Sequence, residues 1–363
     1  MAKGRYDRAG NGATRSRTWK ENMVGILSPQ AAPAQVPAPL IDPQGRTLDY
    51  LRLSVTDRCN LRCRYCMPAA GLPKAAHDDI LTLEEMERLA ALFVRHGVRK
   101  IRITGGEPLV RRGLVPFMAR LAALPSQPEI LLTTNGLALA DHCRDLAAAG
   151  IRRINLSLDS LDADTWSQIT RRPGHARVLE AIDRVLAAGM GLKINMVVLP
   201  GINDGEIADF VELTRSRPVA VRFIEPMPFA GDGSALDAVI SGEEILARLQ
   251  ARFELQPVVQ RPAAVDRMFA VPGYRGRVGI IAGHSRTFCR TCSRVRIDSR
   301  GRLRTCLYGA PRVDLLAMMR DSMTDDDIAD AVRTEVGLRL KDGHTAEALH
   351  HLAGKESMAD IGG

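Results

Sequence analysis

Aromatic side chains are scarce in this chain: Phe, Tyr and Trp together make up 4 % of 363 residues. Single-stranded nucleic acid is commonly held by stacking its bases on such rings, so stacking platforms are scarce. No run approaches the ~18 consecutive apolar residues of a membrane-spanning helix, and the start carries no apolar core of a secretory signal. Acidic residues are outnumbered by basic ones, 42 to 50, for a net charge of +8. That modest excess suits an anionic small substrate as readily as a nucleic acid. Cysteine is sparse too, but six of the seven fall in two triads. Such spacing belongs to metal sites, not to the even-numbered disulfide framework of a small secreted protein. Thiolates that carry a reduced cluster need a reducing compartment, so a cytoplasmic location is expected.

The first triad lies in SVTDRCNLRCRYCMP, where Cys59, Cys63 and Cys66 follow the strand-like run DYLRLSV in C-x3-C-x2-C spacing. Three thiolates on one short loop can turn to a single point, as an iron–sulfur cluster or soft metal requires. Structural zinc takes four protein ligands, and this loop offers three. Three ligands on a four-iron cluster leave one iron open to chemistry. Three buried structural cysteines are the plainer reading, disfavoured by the tight spacing and the flanking Arg58, Arg62 and Arg64. The loop resembles the signature of the radical S-adenosylmethionine (SAM) enzymes. The resemblance implies a [4Fe-4S] cluster on Cys59, Cys63 and Cys66, SAM on its open iron, and Tyr65 beside the adenine.

From residue 48 onward the pattern alternates. Strand-like runs at 50–56, 100–104, 129–134, 153–158, 192–199 and 220–225 are separated by helix-like stretches, the first opened by a Thr82/Glu85 capping box. Six β/α repeats predict a parallel sheet with helices outside, as an α/β partial barrel or an open doubly wound sheet. Either places ligands at the carboxyl ends of the strands. There stand Gly105-Gly106-Glu107-Pro108, Asn135-Gly136, Ser157 with Asp159, and Met227. Taken singly, most of these have mundane roles, Thr133 as a β-former and Met227 as core filler among them. Lys193, in a largely buried strand, needs an anionic partner or a solvated position. Cys143 reads as a small buried apolar side chain.

Residues 1–40 read as a disordered extension with a Pro/Ala linker, 41–230 as the β/α region, and 231–363 as a smaller α+β region. This last region holds the second triad, Cys289-x2-Cys292 and, after thirteen intervening residues, Cys306, within a run carrying Arg290, Arg294, Arg296, Arg300, Arg302 and Arg304. A zinc ribbon with His284 as fourth ligand, a nucleic-acid patch, and a second open-iron cluster ringed by guanidiniums are all compatible with it. Two three-thiolate sites in one chain favour the last.

The paired triads, CSRVRID and the closing Gly362-Gly363 resemble the GTP-cyclising branch of the radical SAM family, which begins molybdenum cofactor biosynthesis. The fold so implied is an incomplete (β/α)6 barrel of the radical SAM type, with a C-terminal α+β region carrying a second [4Fe-4S] cluster on Cys289, Cys292 and Cys306. Carried over residue by residue, SAM would meet Tyr65, Gly106, Ser157 and Met227. GTP would meet Arg52, Arg102, Thr133, Lys193, Arg294, Val295 and Arg296, with Arg52, Arg294 and Arg296 counted as catalytic. The reaction implied turns GTP into 3′,8-cyclo-7,8-dihydro-GTP through a 5′-deoxyadenosyl radical. The implied partners are a reducing electron donor such as a flavodoxin or ferredoxin and a downstream cyclic pyranopterin monophosphate synthase, with no nucleic acid and no membrane. A homodimer is compatible with the sequence. The alternatives are a radical SAM peptide-modifying enzyme with an auxiliary cluster, and a metal-stabilised nucleic-acid-binding module. Two open-iron triads give a direct expectation: reconstituted protein should carry about eight irons per chain, four for each triad. An iron content near four, with zinc bound, would contradict it.

Overall fold

A computed structural model describes residues 37–227, 229, 239–260, 263–285, 287–350 and 356–362. The sequence-based extension lies outside these residues as far as residue 36, as do the expected link at 230–234 and Gly363. The chain is ordered before residue 41, however. Leu40 is buried and its carbonyl accepts from the Leu48 N–H at 2.8 Å.

Six parallel strands pair in sequence order: β1 (Tyr50–Ser54), β2 (Lys100–Thr104), β3 (Glu129–Thr134), β4 (Arg153–Ser157), β5 (Gly191–Val197) and β6 (Val219–Ile224). Helices α1 (Leu83–Arg95), α2 (Leu114–Ala122), α3 (Leu139–Ala148), α4 (Ala163–Thr170), α5 (His175–Ala187) and α6 (Ile207–Ser216) lie in the crossovers. The pattern predicts five of these; α4, opened by the Asp162 side chain on Thr165 N–H, is an addition. After α7 (Gly242–Gln250) come β7 (Gln256–Pro257) and β8 (Arg267–Ala270), antiparallel to each other, and β9 (Arg277–Ile281), which lies parallel on β6. Next, β10 (Arg294–Ile297) crosses to the other edge and pairs parallel with β1, followed by antiparallel β11 (Arg302–Arg304) and β12 (Val313–Asp314). Helices α8 (Leu315–Arg320), α9 (Asp325–Gly337), α10 (Gly343–His350) and α11 (Met358–Ile361) complete the described chain.

The sheet order is β12-β11-β10-β1-β2-β3-β4-β5-β6-β9-β8-β7, so its two ends do not pair and the barrel is incomplete, as expected. The C-terminal region does not form its own smaller sheet. Its strands extend both edges of the first one, because RVGII and RVRI carry the same alternation as the strands they meet.

That alternation divides the sheet. Leu51, Leu53, Ile101, Ile103, Leu132, Ile154, Leu156 and Ile194 face the helices and are fully buried. Each such side chain contributes about 1.5–3 kcal/mol by burial. The intervening positions face a concave interior. No helix among the described residues is long and apolar enough to cross a membrane.

Helix α1 begins with the capping box read from the sequence: Thr82 Oγ1 accepts from Glu85 N–H at 3.1 Å, and Glu85 Oε2 accepts from Thr82 N–H at 2.7 Å. Thr82→Ala should lower stability by about 1 kcal/mol, read as an earlier unfolding midpoint with iron content unchanged. An unshifted midpoint would mean that the box contributes nothing.

Candidate active site

The interior face of the sheet and its C-terminal loops enclose one cavity of about 810 Å³. Both cysteine triads line it, Cys59, Cys63 and Cys66 from the loop after β1, and Cys289, Cys292 and Cys306 from around β10 and β11. Tyr65, Gly106, Ser157, Met227, Arg52, Arg102, Thr133, Lys193, Arg294 and Arg296 line the same cavity. Val295 is the exception. It stands one position out of phase on β10, and its side chain is fully buried in the core. His284 is exposed and does not reach the cavity wall.

Three loops lock the first triad. A side chain at Gly106 would collide with the Arg58 carbonyl, so only glycine lets this turn press against the cysteine loop. The Gly106 and Glu107 N–H groups donate to the Thr56 and Arg58 carbonyls at 2.8 Å. The Glu107 carboxylate is buried and accepts from Leu109 N–H, Thr134 Oγ1 and Asn135 N–H, tying the turn to the end of β3. Burial raises its pKa, and these donors limit the rise. Burial also pushes the Cys63 thiol well up, helped by Asp159 and the neighbouring cysteines, and takes Cys66 up to about 12. Thiols so crowded resist ionisation on their own, and a cationic cluster is the group that would make them thiolates.

The second triad has a different environment. Burial alone would raise the Cys292 thiol, but Arg294, Arg339 and Arg296 outweigh it and bring it to about 6. Arg294 Nε donates to Cys292 Sγ at 3.4 Å, with its guanidinium over the Phe288 ring at 4.8 Å. Among the described residues no three His, Cys, Asp or Glu side chains converge as ligands of one ion do. A four-iron cluster asks for something wider, one thiolate on each of three irons, and a three-cysteine donor set fits that chemistry.

A cationic wall runs along the same cavity, beginning beside the second triad. Arg52 Nε is buried with no hydrogen-bond partner among the described residues, and burial with Arg296 alongside pushes its pKa well down. Burial and the nearby Arg294 lower Arg296 to about 10. Arg102 donates to the Tyr50 hydroxyl and, at 3.2 Å, to Thr133 Oγ1. Lys193 finds its anionic partner in Asp266 at 3.2 Å, which also accepts from Arg222 at 3.3 Å. Asn155, oriented to satisfy its neighbours, accepts from Arg222 at 2.6 Å and Arg102 at 3.1 Å. A crowded group of guanidiniums with a single carboxylate partner among the described residues and one orphaned nitrogen calls for a polyanion.

Sequence reasoning missed Arg222, Asn155 and Tyr50, although their phase on β6, β4 and β1 matches that of Lys193 and Arg52. Asp266 carries no local signal, since it sits in the loop before β8. Of the arginines between 290 and 304, only Arg290 is exposed. Arg302 pairs with Asp298, Arg304 with Glu356, and Arg294 and Arg296 turn inward, so the run is not a surface patch. Cys143 is buried, its Sγ 3.2 Å from the Leu139 carbonyl, as the plain reading expects.

The chain's end reaches the first triad. Ser357 Oγ donates to the Cys66 carbonyl at 2.5 Å, and Met358 and Ala359 line the cavity. Gly362 has φ +87°, and a Cβ there would lie 2.6 Å from Ser54 Cβ, at the mouth of β1.

Comparison with known proteins agrees with this geometry. Residues 53–214 match the model of the radical SAM superfamily, and 219–345 that of Molybdenum Cofactor Synthesis C. The GTP 3′,8-cyclase of Geobacter sulfurreducens is 48 % identical over 89 % of this chain and 99 % of its own length. Molybdenum cofactor biosynthesis protein 1 of Drosophila melanogaster is 42 % identical over 90 % of this chain, which spans 59 % of that longer protein. The crystal structure of Streptococcus suis SuiB bound to S-adenosylmethionine shares the fold at a TM-score of 0.54 and 15 % identity, over 79 % of this chain and 69 % of that one.

Tyr65 and Asp159 allow a test of the first site's polar frame. The Tyr65 hydroxyl donates to Asp159 Oδ2 at 2.8 Å, and Val197 N–H donates to Oδ1 at 2.9 Å. Burial holds the Asp159 carboxyl at about 6. Because the folded value exceeds the ordinary one, this carboxyl gives up folding stability as pH climbs from about 4 through 6. Tyr65→Phe should therefore cost about 1–3 kcal/mol, with the larger deficit above pH 6, where the stranded oxygen is charged. A pH-independent loss of melting temperature would count against it.

Proposed function

The chain belongs to the radical SAM superfamily and, within it, to the GTP 3′,8-cyclase family, and from that premise we propose that it converts GTP to 3′,8-cyclo-7,8-dihydro-GTP. The observation that carries this reading is the meeting, in one cavity, of two thiol triads and an Arg52 whose buried Nε has no hydrogen-bond partner among the described residues. Cys59, Cys63 and Cys66 would hold the [4Fe-4S] cluster that binds SAM, and Cys289, Cys292 and Cys306 a second one. When bound, the first cluster with SAM supplies a 5′-deoxyadenosyl radical, able to take a hydrogen atom from an unactivated ribose carbon.

The protein's own residues bind, orient and enclose. Arg52, Arg294 and Arg296 hold the triphosphate through bidentate, charge-assisted hydrogen bonds. Arg102, Thr133 and Lys193 complete the nucleotide contacts, and Val295 can add only its main chain. Tyr65, Gly106, Ser157 and Met227 frame SAM. Held this way, C3′ of GTP gives up its hydrogen atom and bonds to C8 of guanine. One electron and one proton then complete the product, and Arg52, Arg294 and Arg296 assist that last reduction by holding the nucleotide where the donor's electron and a proton reach it. An external low-potential donor such as a flavodoxin or ferredoxin supplies the electrons in the cytoplasm. The product passes to a cyclic pyranopterin monophosphate synthase.

Anaerobic, reduced holoenzyme given SAM and GTP should form 5′-deoxyadenosine and the cyclised nucleotide together. Arg294→Ala or Arg296→Ala should cut turnover by about 10–100-fold, the worth of one hydrogen bond to a charged group, while SAM binding stays intact. Undiminished cyclisation in both variants, or 5′-deoxyadenosine without cyclised nucleotide in the unmodified enzyme, would overturn the assignment.

A further inference from the structure

The segment ahead of β1 reaches the second triad from behind. Residues 41–47 form a tight turn, closed by an antiparallel bridge between Ile41 and Thr47, with Gly45 at φ +73°. Asp42 Oδ1 accepts from the Gln44 and Arg46 N–H groups, each at 3.0 Å. Its Oδ2 accepts from Arg46 Nε at 2.6 Å and from Arg339 Nη1 at 3.0 Å. The Asp42 side chain has no exposed surface, Arg46 keeps 8 % and Arg339 3 %. One buried carboxylate thus joins two buried guanidiniums from opposite ends of the chain.

Those guanidiniums spend their remaining donors on the cysteine turn and its neighbours. Arg46 Nη1 donates to the Cys289 carbonyl at 2.8 Å, and Arg339 Nη1 to the Cys292 carbonyl at 2.9 Å. Arg46 also ties down the Lys341 and Leu340 carbonyls, at 2.8 and 3.0 Å. None of the three residues lines the cavity, so none is placed to touch SAM or GTP. A buried ion-pair network is costly to assemble and is weak evidence of stability alone. Here one donor from each arginine is aimed at the carbonyl of a cysteine that opens the second triad, while Arg46 Nη2 also donates to Gln44 Oε1 at 2.8 Å.

We propose that Asp42, Arg46 and Arg339 form a clasp that fixes the Cys289–Cys292 turn, so that both thiolates point at the second cluster; this rests on the two-cluster reading above. Fixing the peptide units of Cys289 and Cys292 fixes the directions of their Cα–Cβ bonds, leaving only side-chain rotation for the sulfurs to meet iron. Groups behind metal ligands govern affinity in this way, and their loss commonly costs 10–100-fold. The three are positioning residues, and their effect is local to one cluster.

The test uses reconstituted holoenzyme with Arg46→Gln, Asp42→Asn and Arg46→Lys, compared by iron content, by the electron paramagnetic resonance signal of each cluster, and by the rate at which a chelator removes iron. Arg46→Gln and Asp42→Asn should release second-cluster iron about tenfold faster or more, with first-cluster signal and SAM binding unchanged. Arg46→Lys, which keeps a cationic donor, should recover part of the loss. Wild-type retention in Arg46→Gln would overturn the clasp, as would parallel loss of both clusters with a lowered melting temperature of the iron-free protein. If unmodified protein holds only about four irons, the two-cluster reading itself fails, an outcome distinct from a failure seen in the variants alone.

Discussion

Guanidinium charge gathered on the concave face of a parallel sheet is the constraint that the rest of this structure answers. Arg294 and Arg296, Arg52 and Arg102 stand at in-facing positions on the neighbouring strands β10, β1 and β2, and Lys193 and Arg222 line the same cavity from β5 and β6. Among the described residues Asp266 is the one carboxylate paired to this group, through Lys193 and Arg222. Each cation taken out of water costs several kcal/mol unless it is matched. The opposite face of the same strands, solid Leu and Ile under the helices, holds the wall rigid against that repulsion. A preformed cationic wall loses little when a polyanion arrives, because reorganisation is already complete.

The two triads share a chamber but not an electrostatic setting. Around the first, burial and acidic neighbours hold the thiols protonated until a cluster displaces their protons. Around the second, arginines outweigh burial and bring Cys292 to about 6. Arg294 and Arg296, which line the cavity, thus also favour the thiolate form of a neighbouring cysteine.

Both ends of the described chain are used to finish the site. Residues 41–47 press on the second triad, while 356–362 press on the first. Arg304, fully buried, anchors the latter segment through Glu356 at 2.6 and 3.0 Å. Because β11 also carries Arg304 toward Cys306, the strand beside one triad holds the segment that covers the other.

The cysteine spacings, the glycine turn after β2, the six β/α repeats and the α1 capping box were all legible in the sequence, because each is written in local spacing or periodicity by backbone geometry or ligand reach. Even the inward phase of Arg52, Arg294 and Lys193 follows from strand alternation, and the same alternation turns the Val295 side chain into the core. Other features had no local signature. That β9 and β10 would cap opposite edges of one sheet, that Asp266 would serve Lys193, and that Asp42 and Arg339, 297 residues apart, would share a bond all depend on long-range closure. Sequence by itself determined which chemistry the chain carries, since donor type and spacing are written residue by residue. Tertiary structure alone decided which buried charges meet, because compensation between them is a property of the closed sheet and not of any segment.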